Sequence, residues 1–164
     1  MNKDDLIQQL SLEKHIEGGY FVETYRSEET VSTNREGNER SILTSIYYLL
    51  TDDRPINYLH KNKSDILHYF HLGSPITYIT VSPQGELKKV KLGLNIAKGE
   101  VPQLLVPGGY WKTALLEEGE FGLLGESVSP GFEYKDMEIA KPNSFRALFP
   151  QLRDELSPYI QSES

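Results

Sequence analysis

The sequence predicts an all-β protein, and two observations lead to that prediction. Short apolar runs recur along most of the chain, and each is bounded by glycine, proline, asparagine or aspartate. No long helical pattern separates these runs, which favours an antiparallel sandwich or barrel over a parallel sheet with crossover helices. At 164 residues the chain is long enough to form one domain with its own core.

The individual elements follow from local patterns. Leu6, Ile7 and Leu10 are at helical spacing and predict a short helix within residues 1–14. Leu152 and Leu156 lie four residues apart and predict a short C-terminal helix. The polar segment 27–40 is expected to be a mobile loop. Strands are expected at 19–26, 42–50, 66–71, 77–82, 87–92, 103–106, 111–115, 121–128 and 132–137.

This pattern predicts a single domain over residues 1–164, without an internal repeat. The barrel is expected over 15–149, after the N-terminal helix of 1–14, and a C-terminal tail over 150–164 completes the chain.

Composition narrows the class of protein. The net charge is −7 and no lysine- or arginine-rich run is present, which argues against nucleic acid and anionic membranes as partners. No apolar run approaches the roughly 18 residues of a membrane helix, and the N-terminus lacks the apolar stretch of a signal peptide. Without cysteine there is no disulfide framework, so we expect a cytoplasmic protein.

The histidines are the strongest local signal. Three of the four, His60, His68 and His71, fall within twelve residues. In a cysteine-free chain, such a cluster indicates either a metal site or acid–base chemistry near neutral pH.

Two segments resemble the paired motifs of the cupin superfamily. Tyr58-Leu-His60 aligns with the histidine pair of the first motif, Ile66 with its glutamate, and Gly73 with its closing glycine. Pro107-Gly-Gly109-Tyr-Trp-Lys112 matches the P-x-G-x-x-H part of the second motif, with lysine in place of histidine.

A more specific resemblance is to cupin family 5, the group once labelled only as domain of unknown function 985. It spans roughly residues 12–150 in the expected order. The segments that carry it are His15-Ile-Glu-Gly-Gly-Tyr-Phe-Val-Glu-Thr-Tyr-Arg26, Thr44-Ser-Ile-Tyr-Tyr-Leu-Leu50, Lys63-Ser-Asp65, Val106-Pro-Gly-Gly-Tyr-Trp111 and Val128-Ser-Pro-Gly-Phe132. The resemblance implies a cupin-type double-stranded β-helix, a jelly-roll barrel with short N- and C-terminal helices, that is often a homodimer and has no settled activity.

This chain departs from the metal-binding cupin pattern, which usually supplies three histidines and a glutamate. The corresponding positions hold Tyr58, His60, Ile66 and Lys112, and only His60 is an ordinary ligand. Ile66 and His68 share a strand face, because side chains alternate along a strand. We therefore expect no cofactor; a divalent metal held by His60 and His68 is the alternative. His71 has the opposite parity and is expected outside the lumen.

The remaining candidates suggest a small-molecule pocket. Lys112 and Arg26 would hold an anionic group, or Lys112 would extend from the barrel mouth to water. Asp65 would either orient His60 or cap a turn. Tyr47, Tyr58 and Trp111 are the further candidates for ligand contact, and aromatic core is the alternative for Tyr47 and Trp111. Three charged residues of the family-like segment, Glu17, Glu23 and Arg26, would form an internal ion pair or contact substrate.

The sequence thus predicts binding of an anionic or sugar-like small molecule inside the barrel. Metal-independent acid–base catalysis of isomerase or epimerase type would use His60 and His68 as proton-transfer groups. A metal-dependent cupin enzyme, such as a dioxygenase or isomerase, and a non-catalytic binding or sensing barrel are the alternatives.

Overall fold

Two antiparallel sheets face each other and form the body of the molecule. The computed structural model describes residues 1–162. The first sheet has six strands, in the spatial order β1 (Glu13–Lys14), β2 (Tyr20–Arg26), β5 (Thr44–Thr51), β12 (Phe121–Ser129), β7 (Asp65–Gly73) and β10 (Gln103–Val106). The second has five strands, in the order β13 (Met137–Ile139), β6 (Ile56–Asn62), β11 (Trp111–Leu115), β8 (Ile76–Val81) and β9 (Leu87–Leu92). The chain alternates between the sheets as a jelly roll does.

Short helices and one hairpin complete the fold. Helix α1 (Lys3–Gln9) begins at Asn2, whose side chain accepts a hydrogen bond from the Asp5 amide in a capping box. The C-terminal segment contains α2 (Pro142–Leu148) and α3 (Arg153–Leu156), with short 3-10 turns around α3. The hairpin pairs β3 (Thr30–Ser32) with β4 (Glu39–Ser41) outside the two main sheets. No helix in residues 1–162 is long and apolar enough to span a membrane.

Apolar side chains form three layers. Between the sheets lie Tyr48, Leu50, Ile76, Tyr78, Leu92, Ala114, Leu116 and Leu124. Helix α1 packs its Leu6 on Leu49 and Leu123, on the outer face of the first sheet. The C-terminal helices cover the outer face of the second sheet with Phe145, Phe149, Leu152 and Leu156. At one end of the space between the sheets, buried polar side chains such as Glu17, His60 and Lys112 lie among the apolar ones.

The structure confirms most predicted strands and corrects several details. The predicted strand at 132–137 is wrong: residues 134–136 form a 3-10 turn, and pairing with β6 begins at Met137. The segment 27–40, expected to be a loop, instead contains most of the β3–β4 hairpin. Arg40 of this hairpin forms a bidentate pair of hydrogen bonds with the buried Asp136. Strand β6 and helix α2 were not predicted. Residues 163–164 of the predicted tail lie outside the described residues.

Candidate functional site

A cavity of about 400 Å³ opens between the two sheets at their polar end. Both sheets contribute to its wall, and so does the loop before β13. The lining side chains are Glu13, His15, Glu17, Phe21, Glu23, Arg26, Thr44, Ile46, Tyr48, Asn57, His60, Asn62, Ile66, Lys112, Glu126, Val128, Phe132, Glu133 and Tyr134. This volume lies within the about 300–1,000 Å³ typical of small-molecule sites.

A bulge in β6 decides which of its side chains reach the cavity. Lys112 pairs with His60, whereas Ala114, two residues further on, pairs with Asn57, three residues back. The extra residue in β6 breaks the alternation of faces. Asn57 and His60 consequently both line the cavity, while Leu59 lies under the C-terminal helices.

Glu17 and His60 form a buried pair in the cavity wall. His60 Nδ1 is 2.7 Å from the main-chain carbonyl oxygen of Tyr58, so Nδ1 must carry the hydrogen that it donates. His60 Nε2 is 2.9 Å from Glu17 Oε2. An unprotonated Nε2 would face a carboxylate lone pair at that distance, so one proton lies between the two groups. Glu17 and His60 together are called the dyad below.

The Glu17 carboxylate is positioned by a tight turn and by a second side chain. Gly18 has φ +99°, and a Cβ there would lie 2.0 Å from the Ile56 carbonyl oxygen, so only glycine allows this approach to β6. Asn57 Nδ2 donates to Glu17 Oε2 at 3.2 Å and to the Tyr48 hydroxyl at 2.9 Å. Burial alone would raise the pKa of Glu17, but the His60 imidazole brings that pKa below its ordinary value.

His15 leaves the other oxygen of Glu17 free. The Glu17 main-chain N–H donates to His15 Nδ1 at 3.0 Å, so this nitrogen is an acceptor without a proton. Its 3.8 Å separation from Glu17 Oε1 is therefore no ion pair. Burial lowers the pKa of His15, which agrees with a neutral ring.

A second polar group joins the two sheets and consists of Lys112, His68 and Glu126. Lys112 extends from β11 across the interior, and its Nζ donates to His68 Nε2 at 2.7 Å. His68 Nδ1 lies 3.1 Å from the Leu104 carbonyl oxygen and donates to it, which leaves Nε2 as the acceptor. Glu126 Oε1 is 3.5 Å from Lys112 Nζ. These three residues are called the ammonium group below.

The protonation states within the ammonium group are mutually consistent. Burial lowers the pKa of His68, and the Lys112 charge lowers it further, so the ring stays neutral. Burial alone would raise the pKa of Glu126, but the Lys112 ammonium holds it well below its ordinary value. His68 is fully buried and does not line the cavity, whereas Lys112 and Glu126 do.

Arg26 lies at the mouth and is already paired. It donates to Glu23 Oε1 at 2.7 Å, to Glu133 Oε1 at 3.3 Å and to the Phe132 carbonyl oxygen at 3.0 Å. The cavity lining as a whole contains five glutamates against one arginine and one lysine. Its electrostatic character is therefore acidic, and neither cation is free of a carboxylate.

Several predicted site residues lie together, and others do not. Arg26, His60 and Lys112 line the cavity, and His68 lies directly behind Lys112. Tyr47 faces outward, because its neighbours Ile46 and Tyr48 face inward; its ring contacts His71. Trp111 likewise faces away from its neighbour Lys112 and packs on Phe145, with Lys61 over its ring.

Tyr58 and Asp65 also lie outside the cavity. The Tyr58 side chain lines a separate surface recess with Ile16 and Arg54, as the β6 bulge requires. Asp65 accepts a hydrogen bond from the Gly108 amide at 2.8 Å and so holds the turn before β11. His71 is exposed on the outer face. Tyr47, Tyr58, Asp65 and Trp111, predicted as ligand contacts, are therefore absent from the lining of this cavity.

Two lining residues, Glu126 and Asn57, were not predicted from the sequence. Glu126 is the one charged residue of the strand Phe121–Ser129, whose other members are apolar residues, glycines and two serines, and that isolated charge is a usable signal. Asn57 had no comparable signal, because its inward position depends on the bulge in β6.

The cavity residues do not fit the divalent metal that many cupins hold. Of the four corresponding positions, Tyr58 lies outside the cavity, Ile66 offers no ligand atom, and Lys112 places an ammonium there. His60 Nε2 faces Glu17, and His68 Nε2 accepts from Lys112. Residues 1–162 contain no group of three or more histidine, aspartate or glutamate side chains arranged to hold a metal.

Comparison with known proteins identifies the fold and the family. The chain is 42% identical over 149 residues to an uncharacterized protein of Saccharomyces cerevisiae, YML079W, in a match that covers 83% of this chain and 74% of the yeast protein. A hypothetical protein from Leishmania major has the same fold, with a TM-score of 0.91 and 29% identity over 98% of this chain and 99% of that one.

Two further solved structures show a close and a distant similarity to this chain. Protein SO0799 from Shewanella oneidensis matches with a TM-score of 0.90 and 36% identity over 99% of both chains. Oxalate decarboxylase from Bacillus subtilis matches with a TM-score of 0.55 and 19% identity, over 92% of this chain and 38% of that one, a likeness of fold alone. The model of the cupin superfamily family Cupin_5 (DUF985) matches residues 4–140. The chain therefore belongs to the Cupin_5 family of the cupin superfamily.

Proposed function

We propose that this protein is a metal-independent acid–base catalyst of isomerase or epimerase type, acting on a neutral, sugar-like molecule in the barrel cavity. The observation that carries the proposal is the dyad. Its hydrogen bonds require one proton between His60 Nε2 and Glu17 Oε2, beside a cavity of suitable size. A buried group that can gain or release a proton next to a substrate is the basic requirement for general acid–base catalysis.

The proposed step is proton abstraction from a carbon next to a carbonyl group. Glu17 Oε1 accepts the proton, since the contacts of Asn57 and His60 are to Oε2 and His15 Nδ1, 3.8 Å from Oε1, has no proton to give. The electron pair of the broken C–H bond moves to the carbonyl oxygen and forms an enolate. Return of the proton by Glu17 to the neighbouring carbon, with the hydroxyl proton of the original carbon moving to the former carbonyl oxygen, gives an isomer. Protonation of the original carbon on its opposite face by a water molecule, with Glu17 returning its proton to the resulting hydroxide, gives an epimer.

Lys112 would stabilise the enolate oxygen. Its ammonium has three hydrogens, two of which face His68 Nε2 and Glu126 Oε1. The third is available to an oxygen in the cavity, where a fixed positive charge stabilises developing negative charge. His68 then acts as a positioning residue for Lys112, and His60 remains the proton-transfer histidine.

The charge of the lining favours a neutral ligand over an anionic one. An anionic ligand would meet five glutamates, and both basic side chains that could balance it are already paired. A polyhydroxylated neutral molecule instead offers hydroxyls to the many carboxylate and amide oxygens of the wall.

Hydrogen–deuterium exchange tests the proposal. The purified protein is incubated in D₂O with a panel of aldoses and ketoses, and loss of individual C–H signals is followed by proton NMR. We expect exchange with at least one sugar, and a loss of about 10²–10⁴-fold in rate for Glu17→Gln and His60→Gln. His71→Gln is the matched control, because His71 lies exposed on the outer face.

The outcomes separate catalysis from binding. Equal exchange rates in the wild type and both dyad variants would overturn the acid–base role. Tight sugar binding without exchange would instead support the non-catalytic binding barrel. The homodimer and the cytoplasmic location stay predictions from the sequence, and sedimentation of the purified protein tests the first of them.

A further inference from the structure

His15 carries a hydrogen-bond donor that the protein itself does not use. Its Nδ1 accepts from the Glu17 main-chain N–H at 3.0 Å, and burial keeps the ring neutral by lowering its pKa. A neutral imidazole holds one hydrogen, so the hydrogen must be on Nε2. Within residues 1–162, Nε2 has no hydrogen-bond partner, and the buried side-chain atoms that lack one there are Asn62 Oδ1 and Arg146 Nε. His15 Nε2 is therefore at the accessible surface of the molecule.

The accessible part of His15 opens to the cavity. The side chain lines the cavity and is absent from the wall of the recess beside Tyr58. Aromatic rings surround the imidazole, with centroids at 4.5 Å for Phe21, 6.0 Å for Tyr48 and 6.3 Å for Tyr134. These rings hold the imidazole in place, and its Nε2–H is left for a molecule in the cavity.

The other three histidines provide the contrast. His60 and His68 each place both ring nitrogens against protein atoms. His71 lies exposed on the outer face. In the part of the chain that the structure describes, His15 is thus the one histidine of the cavity wall whose second nitrogen has no protein partner.

We propose that His15 is a specificity-determining residue, whose Nε2–H donates a hydrogen bond to a hydroxyl on the reacting carbon of the substrate. The substrates are then α-hydroxy aldehydes or ketones, the class to which aldoses and ketoses belong. This inference rests on the proposed function and adds to it the group that the cavity recognises. His15 Nδ1 is 3.8 Å from Glu17 Oε1, the proposed base, so the imidazole lies beside the carbon that loses its proton.

The two donors of the cavity wall suit two neighbouring oxygens of such a substrate. Lys112 is charged and suits the carbonyl oxygen, where negative charge develops. His15 is neutral and suits the hydroxyl oxygen, which carries no charge in the substrate. During isomerisation that hydroxyl becomes the carbonyl of the product, and its oxygen can accept from Nε2–H both before and after the step.

Nitrogen NMR of the protein without ligand tests the tautomer of His15. Histidine is labelled with nitrogen-15, and the His15 signals are those that disappear in His15→Gln. At about pH 7 we expect a hydrogen on Nε2 and none on Nδ1. A hydrogen on Nδ1 with none on Nε2 would remove the donor and overturn the proposal.

Two substitutions separate the roles of the two ring nitrogens. In His15→Asn the side-chain oxygen can replace Nδ1 as the acceptor for the Glu17 N–H, but nothing replaces the Nε2 donor. In His15→Gln the amide nitrogen can replace Nε2–H, but the Nδ1 acceptor is lost. We expect the exchange rate with a reactive aldose to fall about 5–10-fold in His15→Asn and only about two- to threefold in His15→Gln. The reverse order would show that His15 only supports the Glu17 turn and would overturn the proposal.

Deoxy sugars test whether the recognised hydroxyl is on the reacting carbon. D-glucose, D-galactose and D-ribose are each compared with their 2-deoxy analogue in the exchange experiment, with the wild type and with His15→Asn. We expect the ratio of the parent rate to the deoxy rate to be about 5–10-fold larger in the wild type than in His15→Asn, because only the parent sugar can accept from Nε2–H. Equal ratios in the two proteins would overturn the hydroxyl assignment.

Binding of the same sugars keeps this inference separate from the proposed function. Calorimetric titration gives the ratio of the parent affinity to the deoxy affinity in both proteins and needs no turnover. If no sugar exchanges but this ratio is about 5–10-fold larger in the wild type, the acid–base proposal fails and the role of His15 stands. If exchange depends on Glu17 but the ratio is the same in His15→Asn, the proposed function stands and the role of His15 fails. Absence of binding of all these sugars to the wild type would also overturn the assignment of His15.

Discussion

The dyad and the ammonium group use similar residues and differ in where their protons can be. In the dyad, His60 Nδ1 donates its hydrogen to the Tyr58 carbonyl oxygen, and Nε2 faces the Glu17 carboxylate. The proton between the two groups can therefore be bonded to either His60 Nε2 or Glu17 Oε2. In the ammonium group, the Nδ1–H of His68 is also fixed, but Nε2 faces a lysine that supplies its own hydrogen. The partner of Nε2 therefore decides whether a buried histidine pair can transfer a proton or only hold a charge.

The same comparison separates a catalytic part from a supporting part. The dyad lines the cavity, and Glu17 keeps one carboxylate oxygen without a hydrogen-bond donor nearby. The ammonium group bridges the two sheets, and its histidine has no exposed surface. We thus expect changes in the dyad to affect rate more than stability, and changes in the ammonium group to affect stability strongly.

Removal of the Lys112 charge should have the largest effect on stability. Lys112→Met leaves Glu126 as an unpaired charge in the interior, because its other basic contact in the described chain, His68 Nε2 at 3.4 Å, belongs to a ring that burial keeps neutral. We expect the free energy of unfolding to fall by about 3 kcal/mol, at the lower end for buried pairs because Glu126 remains 12% exposed. Chemical denaturation of the wild type and of Lys112→Met measures this difference in the free energy of unfolding.

A double variant identifies the cause of that loss. Lys112→Met combined with Glu126→Gln removes both charges and should recover more than half of the lost stability. In comparison, Glu17→Gln should cost about 1 kcal/mol, because the amide still fills the site and still forms hydrogen bonds. A loss below about 1 kcal/mol for Lys112→Met would mean that Glu126 reaches solvent and that the group does not join the sheets.

Strand alternation predicted part of the site from the sequence. Parity placed Ile66 and His68 on the inner face of β7 and His71 on the outer face, as observed. The same rule means that the neighbours Trp111 and Lys112 cannot both face the cavity, and the structure places Lys112 in the cavity wall and Trp111 on the outer face. The jelly roll was predicted from the resemblance to the family, whose model matches residues 4–140.

The remaining site residues depend on features that local patterns do not contain. The one-residue bulge in β6 turns Tyr58 outward and Asn57 inward, and a strict period of two predicts the opposite. A second bulge, in β2 at Thr24, brings Glu23 and Arg26 to the same cavity although their parities differ. The pairing of Glu17 with His60 joins a loop to a strand 43 residues away, a long-range contact that needs the complete fold.

Lowering the pH should reduce the stability of the protein in two stages. The first stage is caused by the histidines that stay neutral in the folded state. His15 and His68 have pKa values below their ordinary 6.5 in the folded state. As pH falls below about 6.5, the unfolded chain binds protons that the folded state does not bind, so stability falls. We expect a loss of at most about 1 kcal/mol per histidine for the first pH unit below 6.5, measured by denaturation at several pH values.

Protonation of the buried carboxylates should cause the second loss of stability. Substitution of single histidines shows which of them causes the first loss. Glu17 and Glu126 have lowered pKa values, so their stabilising contribution is lost as pH falls below about 4.5. His68→Gln should reduce the loss between about pH 6.5 and 5.5, whereas His71→Gln should not change it. An unchanged profile for His68→Gln would mean that the ammonium group takes up a proton in acid, as the dyad can.

The smallest expected effect concerns Tyr58, whose main chain and side chain have different surroundings. Its carbonyl oxygen orients His60, while its ring lines the separate recess beside Ile16 and Arg54. Tyr58→Phe keeps the carbonyl, so the sugar exchange rate should stay within about twofold and the unfolding free energy within about 0.5 kcal/mol. A loss of exchange in Tyr58→Phe would show that the phenol takes part in the proton transfer, and the dyad would then not be a self-contained unit.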